Sequence, residues 1–205
     1  MAIPLAERMR PKQLSDYIGQ AHLLHENGSL RKALNAGILP SMIFWGPPGV
    51  GKTTLANLLA GHLNRPFYTL SAISSGVKDV RDIIQKVEQQ GMFQQSGAVL
   101  FIDEIHRFSK SQQDSLLGAV EKGTITLIGA TTENPSFEVI SALLSRCQVY
   151  TLESHSVADL DLLLNRAIAV DSDLSKRQIE LKETKALMAV AGGDARKMLN
   201  LFEMI

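Results

Sequence analysis

A chain of 205 residues, 45% hydrophobic and 20% charged, can bury a full core, which excludes a disordered or low-complexity protein. Twenty-one basic residues balance 21 acidic ones, so no global field draws the chain to nucleic acid or lipid, and any DNA contact has to be a local patch. The longest apolar runs fall far short of a membrane span and Met1 to Arg10 carries no signal-peptide stretch, which predicts a cytoplasmic protein with no membrane association.

Cys147 is the single cysteine, so no internal disulfide forms, and five scattered histidines do not make a zinc site by spacing. His22 and His25 are spaced to share a helix face, where a solvated surface is the simpler reading. Short apolar, β-branched or aromatic runs then recur as strands at Met42 to Trp45, Phe67 to Leu70, Ala98 to Ile102, Ile125 to Ala130 and Gln148 to Leu152. Between them lie helical patterns: Leu55, Leu58, Leu59 and Leu63; Val77, Val80, Ile84 and Val87; Leu116, Leu117 and Val120. Strand and helix in alternation predict an α/β fold, a parallel sheet sandwiched by helices with ligand bound at the carboxyl ends of the strands. Beyond Thr151 the pattern changes, since Val157 to Ala169, Leu181 to Ala191 and Ala195 to Ile205 read as helices with no strand between them. The expected division is a nucleotide-binding α/β domain over residues 1–152 and a small all-helical lid domain over 153–205. The chain stops at Ile205 inside a helical pattern, which points to a fragment.

Two stretches carry chemistry. GPPGVGKT, Gly46 to Thr53, follows the first strand directly and opens an amphipathic helix, the context that a phosphate-binding loop requires. Gly46, Gly49 and Gly51 allow tight turns that aim successive N–H groups at an anion, the helix start adds its positive end, and Pro47 and Pro48 stiffen the approach. Lys52 is expected to reach the β- and γ-phosphates of ATP and Thr53 to help hold Mg²⁺; Val50 and Thr54 complete the loop. The second stretch, VLFIDE from Val99 to Glu104, is an apolar strand ending in two acids. Unpaired charges at a core edge are costly, so their presence points to use: Asp103 in the Mg²⁺ shell and Glu104 polarising the attacking water. A solvated strand end is the plain alternative. Ser71, ending the second strand, is either a polar restraint on the catalytic glutamate or an ordinary turn cap.

GPPGVGKTT, LFIDEIHRFSKSQQD, LIGATTENPSF, LLSRCQVY and GGDARKMLN occur in this order after RMRPKQLSDYIGQAHLL. Together they resemble the bacterial replication-associated recombination protein A family, in the clamp-loader branch of the AAA+ ATPases, with the Werner-helicase-interacting ATPase among its eukaryotic relatives. The resemblance covers nearly the whole chain. It implies a P-loop AAA+ ATPase acting on DNA in replication-associated recombination and repair, with ATP and Mg²⁺ as cofactors. Thr131 matches the first sensor near the γ-phosphate, with Thr132 a close alternative. Arg146 matches the arginine finger that acts on a neighbour's ATP, and Arg196 matches the second sensor in the lid. Tyr17, Ile18 and Gly19 match the segment beside adenine, preceded by Arg10 and Pro11 as in clamp loaders. Family members continue into a further helical region that supports a homo-oligomer, and replication proteins are further partners.

The same resemblance places the helix starts after the second strand and after the acidic pair toward DNA, at single-strand/double-strand junctions, which makes Lys78, Arg81, Arg107 and Lys110 the expected DNA contacts. Four basic residues read equally well as solvated helix faces. A Holliday-junction branch-migration motor shares the DEIHR and IGATT stretches, yet the 27 positions from Glu104 to Thr131 leave no room for the extra β-hairpin such motors carry. A nucleotide-gated protein scaffold or remodeller that never touches DNA is the alternative from a different class.

Overall fold

Runs such as AVLFID and ITLIGAT have no polar face to turn to water, so a sheet built from them has to be covered on both sides. The computed structural model, which describes residues 3–91 and 97–205, contains that sheet; Met1 and Ala2, where the first expected unit begins, lie outside the described residues. Its strands are β1 (Met42–Trp45), β2 (Phe67–Ser71), β3 (Ala98–Asp103), β4 (Ile125–Thr131) and β5 (Gln148–Thr151). All pair in parallel, in the order β2-β3-β4-β1-β5. Helices α1 (Leu5–Arg8), α2 (Ala21–Leu24) and α3 (Ser29–Asn35) precede β1; α4 (Lys52–His62), α5 (Val77–Gly91) and α6 (Lys110–Glu121) make the successive crossovers. Short α7 (Pro135–Glu138) and α8 (Ser141–Leu144) lead from β4 to β5, after which α9 (Val157–Val170), α10 (Lys185–Ala191) and α11 (Ala195–Glu203) follow without a strand.

The period-two alternation of each strand divides the core into two halves. Met42, Phe44, Val99, Phe101, Ile128 and Ala130 face α3, α4 and the N-terminal segment, whereas Ile43, Leu100, Ile102, Ile125 and Leu127 face α5, α6 and α8. The five expected strands and the long helices thus stand where the apolar runs put them, to within a residue or two at their ends. One helix is shorter than its pattern. Leu181 to Thr184 do not join α10, because Leu181 reaches the neighbouring apolar cluster from irregular backbone and the helix begins only after Thr184. At the other end α11 stops at Glu203, and Ile205 is fully exposed with nothing to pack on. Among the described residues no helix is long and apolar enough to cross a membrane.

A third apolar cluster joins α9, α10 and α11, and it takes in Leu5 from α1 at the opposite end of the chain. Polar ties fasten the same junction. The Leu5 N–H donates to the Glu203 carboxylate (2.8 Å), and the Arg8 guanidinium reaches both Glu203 (2.9 Å) and Asp171 (2.6 Å). Asp171 also accepts from the backbone N–H groups of Asp173 and Leu174, so these donors with Arg8 hold its carboxyl down at about 2. Replacing Asp171 by Ala leaves Arg8 without its main partner and is expected to lower stability by about 3 kcal/mol, read from the urea midpoint at constant m-value. The sign with pH follows from a lowered carboxylate: the stabilisation is present above the ordinary range near 3.8 and is lost as pH falls through about 2.

Candidate functional site

The chain leaves β1 toward β2 at the far edge of the sheet, crossing β4 and β3, while β5 lies on the other side of β1. A crevice therefore opens at the carboxyl end of β1, the place where open parallel sheets bind ligands. The loop Gly46 to Gly51 fills its floor. The Gly46 N–H donates to the Thr131 carbonyl (3.2 Å), which anchors the loop to β4. Gly49 (φ 73°) and Gly51 (φ 92°) are left-handed, and a Cβ on either would collide, with the Asp194 carboxylate at 1.8 Å and with the Tyr17 hydroxyl at 2.7 Å. Tyr17 in turn donates to the Val50 carbonyl (3.0 Å). Lys52, buried, folds its ammonium under the loop onto the carbonyls of Gly46 (2.6 Å) and Pro47 (2.8 Å). Burial lowers its pKa; the charges of Glu104 and Asp103 oppose that shift and Arg196 adds to it.

A cleft of about 450 Å³ runs over this loop, within the range of small-ligand sites. Pro48 to Thr54, Asp103 and Glu104 line one side and Ala195, Arg196, Leu199 and Asn200 the other, with Tyr17, Ile18 and Arg10 at one end. Gly46 and Pro47 do not line it but hold the Lys52 ammonium through their carbonyls, and Gly19, also off the lining, lies against His155. The donor set suits a nucleotide with Mg²⁺: left-handed glycines and a helix start for phosphate, and Thr53 and Asp103 on one cleft as the oxygen ligands of an ion that keeps most of its waters. Among the described residues no cluster of three or more metal-ligating side chains offers a competing all-protein site.

Glu104 breaks off β3 in left-handed backbone (φ 54°, ψ 47°), a conformation that costs a non-glycine residue about 1 kcal/mol. The turn throws the chain into a 3-10 turn over Ile105–Arg107. Gly129 makes room for it: a Cβ there would stand 2.7 Å from the Ile43 side chain and 2.9 Å from that of Ile105, so the glycine lets both isoleucines settle on β4 without shifting. The settled turn aims His106 at two expected site residues, with Nδ1 3.2 Å from the Glu104 carboxylate and 2.9 Å from Thr131 Oγ1. Thr131 itself is fully buried at the end of β4. Glu104 is thus held by His106, and no hydrogen bond joins it to Ser71.

Arg146 behaves differently from Arg196. It follows α8, pairs with the Glu121 carboxylate, and donates to the Ala142 carbonyl (2.7 Å) and Ser145 hydroxyl (3.1 Å), away from the lining of its own cleft. Lys78, Arg81, Arg107 and Lys110 are all exposed, and Gln112 ties the start of α6 to the Ser75 carbonyl just ahead of α5 (3.1 Å), so the two helix starts are neighbours.

Four residues of the site escaped the sequence reading. Asp194 caps α11 through the Lys197 N–H (2.8 Å) and presses on Gly49; an acid just before an apolar helical run was the available signal. His106 sits two positions past the acidic pair. Arg166 lines the cleft while bonding the carbonyl (2.8 Å) and carboxylate (3.0 Å) of Asp16. His155 lines it too, with Nδ1 buried against Gly19 without a partner; burial lowers its pKa against the pull of Asp159 and Asp194. Nothing in the local sequence marks either of those two.

Comparison with known proteins agrees with this geometry. Residues 42–153 match the ATPase family associated with various cellular activities (AAA). The replication-associated recombination protein A of Coxiella burnetii is 48% identical over 206 residues, 99% of this chain and 46% of that protein. ATPase WRNIP1 of Dictyostelium discoideum is 47% identical over 203 residues, covering 98% of this chain and 23% of its own length. The chain thus spans less than half the length of these curated relatives. Among solved structures, the RuvB Holliday junction branch migration motor of Thermotoga maritima superposes with a TM-score of 0.76 at 30% identity, over 95% of this chain and 64% of that one. The family match covers more than half of the chain, from the first strand through the last, and the chain belongs to the ATPase family associated with various cellular activities.

Proposed function

We propose that the chain is the ATP-hydrolysing part of a clamp-loader-like AAA+ motor acting on DNA in replication-associated recombination and repair. The observation that carries this reading is the convergence of Lys52, Thr53, Asp103, Glu104 and Arg196 on one cleft while Arg146 stays outside it. In this reading ATP binds between the α/β part, residues 1–152, and a helical lid, residues 153–205. The backbone N–H groups of Gly49 to Thr53 hold the phosphates, and Lys52 exchanges its two loop carbonyls for phosphate oxygens. Thr53 and Asp103 hold Mg²⁺, which when bound neutralises charge on the phosphate oxygens. Glu104 accepts a proton from the attacking water, with Thr131 sensing the γ-phosphate from β4. Arg146 exchanges Glu121 for the phosphates of a neighbouring subunit, and Arg196 links nucleotide to lid. Tyr17, Ile18 and Gly19 flank the base. Lys78, Arg81, Arg107 and Lys110 meet the DNA backbone from adjacent helix starts.

The printed names of the relatives support the replication and recombination setting. The likeness to a branch migration motor supports a second reading. Against it, the chain passes from Arg107 through α6 and a turn at Gly123 directly into β4, with no β-hairpin ahead of Thr131. The test is the steady-state ATPase rate against protein concentration, with and without single-strand/double-strand junction DNA, with Lys52→Ala as the blank. A rate per subunit that rises with both is the expected result. ATP binding with a flat, near-blank rate in the full-length protein would favour a nucleotide-gated scaffold instead.

A further inference from the structure

The contacts around Thr131 point to the nitrogen of His106 that carries its proton. Thr131 Oγ1 accepts the Glu133 N–H (3.0 Å) and has the Glu133 carbonyl as an acceptor for its own single proton (3.2 Å). Were the hydroxyl proton to point at Nδ1 instead, the bare nitrogen lone pair would face the Glu104 carboxylate 3.2 Å away, so the arrangement favours Nδ1 as the donor. The same nitrogen stands 3.2 Å from a Glu104 carboxylate oxygen, a close charge contact beside the aligned hydrogen bond to Thr131. The imidazole has little freedom to leave, since its side chain is 8% exposed and its turn is fixed by Ile105 in the space over Gly129.

We propose that His106 is a positioning residue: its Nδ1–H yokes the carboxylate of Glu104 to the hydroxyl of Thr131, so that the base is aimed only while the sensor threonine is in register. The proposal rests on the assignment of Glu104 as the base. Of the three, Glu104 alone lines the cleft; His106 and the buried Thr131 stand behind it, so the imidazole acts through Glu104. One carboxylate oxygen is held from behind, which leaves the other to take a proton from water. Without the imidazole, Glu104 loses the one ion-pair partner it has among the described residues and Thr131 Oγ1 loses its contact with Nδ1 in a buried site. The yoke also gives sensor and base a shared mechanical element, since a rotation of the Thr131 hydroxyl toward phosphate removes one of the two oxygens beside Nδ1.

Two measurements test this. Long-range proton–nitrogen NMR on the chain itself should show His106 protonated at Nδ1 rather than at the commoner Nε2; an Nε2–H tautomer overturns the proposal without reference to turnover. In the full-length protein, His106→Asn places an amide N–H near the Nδ1 position, whereas His106→Gln places it near Nε2 and His106→Leu has none. His106→Asn should keep the turnover number within a few-fold, while Gln and Leu should lose about ten- to hundredfold with ATP affinity and Tm unchanged. Wild-type turnover in His106→Leu, or an equal fall in Asn and Leu at equal Tm, rejects the yoke. Glu104→Gln run alongside separates the two ideas: if it is inactive while His106→Leu is not, only the yoke fails, and if it is active the base assignment falls and the yoke with it.

Discussion

Glu104→Gln is expected to lower ATP turnover by about 10²- to 10⁴-fold while leaving ATP affinity within about threefold. The substitution keeps the shape of the side chain and an oxygen that can stand where the carboxylate meets His106 Nδ1, so the left-handed turn and the seating of Ile105 persist. What disappears is the capacity to take a proton. Turnover from phosphate release and affinity from calorimetry give the two numbers separately, and a normal turnover number would take Glu104 out of the water-activating role. The left-handed backbone at this residue has a reading consistent with that expectation, because strain at a strand end persists where the surroundings hold a side chain to a task.

Arg146→Ala has the second large effect, about 10³-fold or more in the assembled protein, with almost no change in the affinity of a subunit for its own ATP. The guanidinium lies on Glu121 and on the carbonyl of Ala142, outside its own cleft, so its removal costs the isolated fold only an exposed ion pair. The diagnostic experiment is mixing. Lys52→Ala subunits have no working loop but keep Arg146, and Arg146→Ala subunits have the reverse, so an equimolar mixture of two inactive proteins should regain activity at the mixed interfaces. A mixture as inactive as its components, or an Arg146→Ala protein with full turnover, would remove the finger from the mechanism.

The parts of this site that were legible in the sequence are those written in consecutive residues. A covered parallel sheet needs unbroken apolar runs, and a phosphate loop needs its glycines, lysine and threonine in fixed order, so β1, β3 and Gly46 to Thr54 stand out without a structure. The acidic pair was visible for the same reason. Contacts between strands were not. His106 meets Thr131 only because β4 lies beside β3, and chain order alone does not say that β4 inserts between β3 and β1. Asp194 against Gly49 and His155 against Gly19 are likewise meetings of distant segments, with no spacing for a periodicity to detect. The shortened α10 fails for the opposite reason: its leading residues, Leu181 among them, carry the apolar pattern, but tertiary packing uses Leu181 outside the helix.

Because Leu5 and Arg8 belong with the C-terminal helices, the chain passes between the apolar cluster under the sheet and that of α9 to α11 twice, once through residues 9–20 and once through residues 152–156. The two passages are laced together, as the Gln20 side-chain amide takes both backbone groups of Glu153 (2.7 and 2.9 Å) and Gly19 abuts His155. Two passages bound side by side restrict relative displacement of the segments they join more than a single passage would. Tyr17 and Ile18 lie on one of these passages and line the cleft, and across it Asp194 meets Gly49. A change at the loop that displaces Asp194 is therefore passed to the start of α11 across a junction that the laced passages leave little room to slide.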